Sequence, residues 1–273
     1  MLAQRWPDHV PTPLAVVESK NWMISRDFKI SEENRPGNEH LPEFSRTLAR
    51  LQLDTVDDLQ TFRDLGCTSM KLDFLRGEDA SAQSLFTSVE PLLTNVDSLL
   101  SSGKQPLDDG EMDSLNAAIA WAREECDKLD SFGIPDCFSH MDYRPDNFFV
   151  ENDNIFIIDW ADVTITHPFM ALCWTIHYLL PYTKPDRSLE GFPAMDAQTL
   201  DDMRDAYLEC FEHLATKEQL QEAFRCARRV HTLFHFYYLA GQLMMMEDGS
   251  AQRDINQFNL CSQARKLIKQ SKA

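Results

Sequence analysis

Ser139-His140-Met141-Asp142-Tyr143-Arg144-Pro145-Asp146-Asn147, then Phe148-Phe149-Val150, Glu151-Asn152-Asp153-Asn154 and Ile155-Phe156-Ile157-Ile158-Asp159, form the stretch that decides how the other residues of this 273-residue chain are read. Two apolar, aromatic and β-branched runs flank four polar turn residues, which predicts a β-hairpin. Paired through that turn, Val150 faces Ile155, Phe149 faces Phe156, Phe148 faces Ile157 and Asn147 faces Ile158. Asn147 and Asp159 therefore emerge together at the open end. The proline and alternating polar residues before Asn147 predict an ordered loop at that same end. His140, Asp142, Asn147 and Asp159 thus converge with one hairpin as the sole long-range assumption. An amide and a carboxylate side by side make a hard-oxygen pair suited to Mg²⁺. A second carboxylate held off the metal, Asp142, could accept a proton from a hydroxyl.

Outward from this centre the chain reads as mostly helical. Leu41, Phe44, Leu48, Leu51 and Leu53 fall on roughly one helical face, predicting a helix over 41–53. Leu85 to Leu100 and Met112 to Leu129 read as two more helices, with a break at Ser101 to Pro106. Beyond residue 195, helices are predicted over 200–214 and 217–246. Thr199 and Thr216 are the expected N-caps, and Thr216 with Gln219 forms a capping box. Toward the N-terminus, Leu14 to Val17 and Trp22 to Ser25 around Glu18 to Asn21 predict a second hairpin. A lone hairpin is marginal in water, so it is expected to pack on something. Glu33 to Asn38 reads as a linker, and the basic tail (Arg265, Lys266, Lys269, Lys272) as a solvated helix end.

Composition bounds the function. The chain is 43% hydrophobic and 26% charged, which excludes collagen-like and largely disordered classes. Its net charge of −18 argues against a nucleic-acid or anionic-membrane partner and would suit a cationic small molecule. The seven scattered cysteines include no C-x-x-C pair, the pattern of reduced thiols in a cytoplasmic protein. No signal peptide precedes Trp6, and no apolar run is long enough to span a membrane.

His140-Met141-Asp142-Tyr143-Arg144-Pro145-Asp146-Asn147 resembles the H-x-D-x-x-x-x-N catalytic loop of the aminoglycoside phosphotransferase and choline kinase family, and Asp159-Trp160-Ala161-Asp162 resembles its D-W-x-D metal motif. The likeness extends more loosely over nearly the whole chain. It implies an α+β, protein-kinase-like phosphotransferase fold whose helical large lobe, residues 35–273, holds the site, with residues 1–34 as a truncated small lobe. It also implies ATP as phosphoryl donor and Mg²⁺ as cofactor. Asp142 would then be the catalytic base, Asn147 and Asp159 the metal ligands, and His140 a brace for the loop. Arg144 would face charge on the transferring phosphoryl group, and Arg26, Asp27 and Phe28 would meet the nucleotide at the hinge.

The departures are equally specific. The glycine-rich strand pair, the strand lysine and the helical glutamate of a kinase small lobe are not visible. Lys20 and Lys29, the only lysines before Lys71, fall in a turn and past the hinge. Thr166-His167-Pro168 stands where many relatives have an aspartate before the proline. Two functional classes follow: a small-molecule kinase, or a catalytically impaired module that binds or regulates, or a fragment of a longer kinase. A partner chain or second copy completing the small lobe fits either. A metallohydrolase using His140, Asp142, Asp159 and His167 is a third, weaker reading, since it lacks paired histidines at helical spacing. For Arg144, an ion pair with Asp146 or Asp162 stands beside the phosphate role. The run Phe234 to Tyr238 reads as helix core, with His235 and Tyr238 as alternative pocket residues.

Overall fold

The structure is a computed structural model that describes residues 1–20, 22–28, 37–78, 96–102, 105–183, 195–246 and 250–273. Residues 85–95 of the expected helix 85–100, most of the 33–38 linker and Lys29 lie outside the described residues; residues 96–100 are helical. The described chain is α+β, as expected, and forms two compact units. Unit 1 comprises residues 1–57, 139–163 and 171–213, and unit 2 comprises 58–138, 164–170 and 214–273.

Unit 1 opens with strands β1 (Ala15–Val17) and β2 (Trp22–Ile24), paired antiparallel with Ala15 opposite Ile24 and Val17 opposite Trp22. The expected hairpin forms. Val16, Trp22, Met23 and Ile24 are each at least half exposed. Helix α1 (Leu41–Leu53) has the predicted bounds and buries Leu41, Phe44, Leu48 and Leu51; Leu53 is only half-buried. Gln52 takes the next buried place and donates to Ser139 Oγ at 2.8 Å while accepting from Tyr207 Oη, so its amide is satisfied in the core.

The central hairpin is β5 (Phe148–Glu151) and β6 (Asn154–Ile157), preceded in the chain by β3 (Thr68–Ser69) and β4 (Cys137–His140). Its register is the predicted one, extended by one pair, Glu151 opposite Asn154. The loop proper is therefore two residues, Asn152 and Asp153, both left-handed at φ 51° and 63°. Positive φ at both positions is what a type I′ loop needs, and Asn and Asp tolerate it better than other non-glycine residues.

In unit 2, β3 runs parallel to β7 (Val163–Thr166), Thr68 opposite Thr164 and Ser69 opposite Ile165, in the strand order β3-β7-β4. Helix α2 (Asp109–Asp130) contains the predicted 112–129 segment and starts at a capping box between Asp108 and Glu111. Two helices follow β7 in the chain and, from Ala171 on, belong to unit 1: α3 (Phe169–Leu179), which the sequence reading does not anticipate, and α4 (Ala197–Glu209). The cap of α4 is Asp196, whose Oδ1 accepts from Thr199 N at 2.8 Å, so Thr199 lies inside the first turn and is not the N-cap. Aspartate ranks above threonine as an N-cap.

The capping box of Thr216 and Gln219 opens α5 (Lys217–Met245) as predicted, and α6 (Ala251–Ser271) packs with it and α2. Where these helices meet, Glu125 is 2% exposed and held by Lys128 and by Arg229 at 2.9 Å. Arg265 bonds Glu111 at 2.7 Å, and burial lowers the pKa of Lys266, so the tail is less solvated than its composition implied. Phe234, Phe236 and Tyr237 are buried as core, His235 bonds Gln263, and Tyr238 accepts from Gln242 at 2.8 Å.

Candidate active site

Every residue that the central motif nominated lies in unit 1, on the segment 139–163. Three interactions fix the loop between β4 and β5. Met141 N donates to Asp162 O at 2.7 Å, Asn147 N to Arg144 O at 2.9 Å, and Ile158 N to Asn147 O at 2.9 Å. The last of these closes the open end of the hairpin as the register required. From α1, the Phe44 ring stacks on both Tyr143 and Phe148, with centroids 3.8 and 3.7 Å apart, one on each side of the loop. Tyr143 is fully buried; its Oη donates to Phe44 O at 2.6 Å and its carbonyl accepts from Thr175 of α3. Neither Phe44 nor Thr175 was nominated from the sequence. Both act through backbone carbonyls and ring faces, which leave no local motif.

Asp142 is the centre of the polar groups. Asn147 Nδ2 donates to its main-chain oxygen at 2.8 Å and to its Oδ2 at 2.9 Å. Arg144 Nη2 donates to the same Oδ2 at 2.9 Å, while Nε lies 2.6 Å from Oδ1 at an angle too bent for a hydrogen bond. The ion pair of Arg144 is thus with Asp142; Asp146, one of the two partners expected, is 3.9 Å away. The carboxylate more than offsets the burial of the guanidinium and raises its pKa. Tyr178 of α3 completes this cluster, its ring 5.1 Å from the guanidinium carbon and its hydroxyl 3.4 Å from Asp146 Oδ2.

His140 is 1% exposed, with Nε2 3.0 Å from Ile158 O and its ring edge-on to Trp160. Burial lowers its pKa, so the neutral ring carries its proton on Nε2 and donates to that carbonyl. This geometry is that of a brace. Trp160 in turn donates to Ile157 O at 3.0 Å and stacks on Trp6.

Asp159 has φ +59°. A non-glycine residue in the left-handed region costs roughly 1 kcal/mol or more and persists where surrounding structure imposes it, often at functional sites. Burial, and then the charges of Asp142 and Asp159, raise the pKa of Asp162. Three carboxylates are therefore close enough to repel one another, a field that favours a cation. With Nδ2 of Asn147 committed to Asp142, its Oδ1 is the free fork of the amide. That oxygen and the Asp159 carboxylate are hard donors of the kind Mg²⁺ takes, an ion that keeps waters and takes further oxygens from phosphate. Among the described residues no three of His, Cys, Asp or Glu stand together to hold a metal.

The 26–28 segment lies against the same hairpin. Arg26 pairs with Glu151 and sits over the Phe28 ring, and Phe28 stacks on Phe149 at 4.9 Å. Lys20, which sits in a single turn of 3₁₀ helix, is over Trp22, 4.7 Å from its ring centroid.

Residues 79–208 match the model of the phosphotransferase enzyme family, a span that includes the loop, the hairpin and Asp159. No curated protein matches the sequence. Among solved structures, the chain is similar to a putative aminoglycoside phosphotransferase from Ralstonia eutropha, with TM-score 0.56 and 13% identity over 97% of this chain and 78% of that one. It is also similar to an ethanolamine kinase from Plasmodium vivax, with TM-score 0.56 and 11% identity over 99% and 72%. A choline/ethanolamine kinase family protein from Mesorhizobium loti gives TM-score 0.50 and 16% identity over 98% and 75%. The resemblance read from the motifs therefore holds, and the fold is that of the kinase-like phosphotransferases. Among the described residues no helix is long and apolar enough to cross a membrane.

Proposed function

We propose that this chain, which carries the phosphotransferase enzyme family segment over residues 79–208, transfers the terminal phosphoryl group of ATP to a hydroxyl of a small molecule with the help of Mg²⁺. The observation that carries the reading is the arrangement around Asp142, a carboxylate oriented by Asn147 beside the left-handed Asp159. Asp142 orients the acceptor hydroxyl and takes its proton. Asn147 Oδ1 and the Asp159 carboxylate hold the metal, which when bound neutralises phosphate charge. Arg144 supplies a guanidinium for the transferring group, whose oxygens match its planar fork. His140 holds the loop to the backbone of Ile158. Arg26, Asp27 and Phe28 form the nucleotide's hinge-side contact. The relatives named for choline, ethanolamine and aminoglycosides, with the net charge of −18, favour an amine-bearing acceptor.

The test is calorimetry of Mg·ATP binding to the wild type beside Asp159→Asn, followed by an acceptor screen. Metal-dependent binding that the substitution abolishes supports the reading; no binding at millimolar nucleotide overturns it.

One observation favours a second reading, a module that binds without turnover. Neither β1 nor β2 contains a lysine, and Lys20 rests on Trp22, so no strand lysine positions phosphate there. The exposure of Val16, Trp22, Met23 and Ile24 fits a partner chain or second copy laid on that hairpin. If Asp142→Asn leaves every measurable turnover unchanged, the module reading displaces the enzyme.

A further inference from the structure

Arg144 is in two places at once in the reading just given. Its guanidinium is assigned to the transferring phosphoryl group, yet here it lies on the carboxylate that must receive a proton. Nη2 donates to Asp142 Oδ2 at 2.9 Å and Nε is 2.6 Å from Oδ1, so one guanidinium edge covers both oxygens. Asn147 adds a donor on Oδ2 at 2.9 Å. Two donors thus converge on Oδ2, and the guanidinium lies over Oδ1 as an ion pair without a hydrogen bond to it. An acceptor hydroxyl would find its base masked.

The masking pair is built to open. Both side chains are partly accessible, Arg144 at 30% and Asp142 at 21%, so an incoming oxyanion can reach the guanidinium. A phosphate presents the same two-oxygen edge as a carboxylate and carries more charge, so it competes for the same fork. Asn147 keeps hold of the Asp142 main chain at 2.8 Å when Arg144 leaves, so the base stays oriented. The Tyr178 ring, 5.1 Å from the guanidinium carbon, offers a face along which the planar group can slide without losing its partner.

We propose that Arg144 is a latch: it covers Asp142 until the donor's phosphate draws it away, so the base is exposed only when nucleotide is bound. The inference rests on the phosphotransferase reading and adds to it an order of events, donor before base. It also accounts for an arginine two residues after Asp142 that pairs within the loop and not with Asp162.

Because the nucleotide must break the pair, the latch makes a thermodynamic demand that needs no known acceptor. The experiment is a double-mutant cycle on the full chain, with wild type, Asp142→Asn, Arg144→Gln and both together. Binding of a non-hydrolysable ATP analogue with Mg²⁺ is measured by calorimetry, and circular dichroism checks the fold. The exposed-to-intermediate setting of the pair gives an expected tightening of about three- to tenfold from Asp142→Asn when Arg144 is present. In the Arg144→Gln background the same change should tighten binding less than about twofold, because there is no latch to release. Removing one negative charge near phosphate also tightens binding, but by an equal factor in both backgrounds. Equal factors therefore overturn the latch while leaving the enzyme reading intact, and so does weaker binding by Asp142→Asn alone. No binding by any of the four proteins overturns the enzyme reading and the latch together.

Discussion

Asn147 Nδ2 bonds the main-chain oxygen and the side-chain Oδ2 of Asp142, at 2.8 and 2.9 Å, so a single amide sets both where the carboxylate is and which way it faces. This makes Asp142→Asn a clean test of chemistry. The substitution is isosteric, removes the proton acceptor together with the charge that Arg144 pairs with, and should lower turnover by about 10²–10⁴-fold while nucleotide binding is retained or strengthened. Single-turnover phosphate transfer checks the first part and calorimetry the second.

Asp159 separates function from stability. Its φ of +59° is one that glycine adopts without a Cβ penalty. Asp159→Gly should therefore keep or raise stability, by up to about 1 kcal/mol, while the Mg²⁺-dependent part of nucleotide affinity disappears. Urea unfolding alongside Mg²⁺ titration reads both. A variant that unfolds more easily would show that the aspartate side chain, not only the backbone, is holding the turn.

Tyr143 ties the loop to α1 through its Oη bond of 2.6 Å to Phe44 O in full burial. Tyr143→Phe removes this second bond to a carbonyl that already serves the helix and should cost about 0.5–1.5 kcal/mol. A drop of several degrees in the melting temperature is the expected result, with kcat affected more than KM for nucleotide because the base is what the loop carries.

The buried His167 of unit 2 predicts a pH dependence. It is 1% exposed, its Nδ1 accepts from Phe169 N at 3.3 Å, and burial pushes its pKa from 6.5 down to about 3. Below pH 6.5 the unfolded chain takes up a proton that the folded protein refuses. The stability this residue contributes is thus complete above 6.5 and lost as pH falls, by about 1.4 kcal/mol per unit toward pH 3. Between pH 7 and 5.5, wild type should lose about 1 kcal/mol more than His167→Asn in denaturant unfolding; parallel losses would refute the assignment.

What could be read in advance tracks how local each feature is. The Phe148–Ile157 pairing, the helix from Leu41 to Leu53 and the Thr216 cap are settled by residues within a few positions of each other, and each appears where expected. The convergence of Asp142 and Asn147 belongs to the same class. Helix α3 was illegible because Met170, Ala171, Leu172, Cys173, Ile176 and Leu179 are all buried; an all-round apolar helix has no face to give a period. The parallel pair β3 and β7 is two residues deep and joins positions 68 and 164, too short for a pattern and too distant for a turn rule. Two good cap residues, Asp196 and Thr199, stand three positions apart, so the sequence alone does not settle which one starts α4.

The outer side of the site hairpin is closed by the start of the chain. Ile157 N donates to His9 O at 2.8 Å, and the His9 ring lies 3.0 Å from Ile155 O, a contact between residues 146 positions apart. During synthesis His9 must wait until every helix between has emerged before its partner strand exists. The hairpin itself needs only neighbours and can form at once, whereas its seal is among the slowest contacts to close. The reacting groups are thus placed by fast, local folding, and the edge beside Asp159 is secured only when the two distant parts of the chain have found each other.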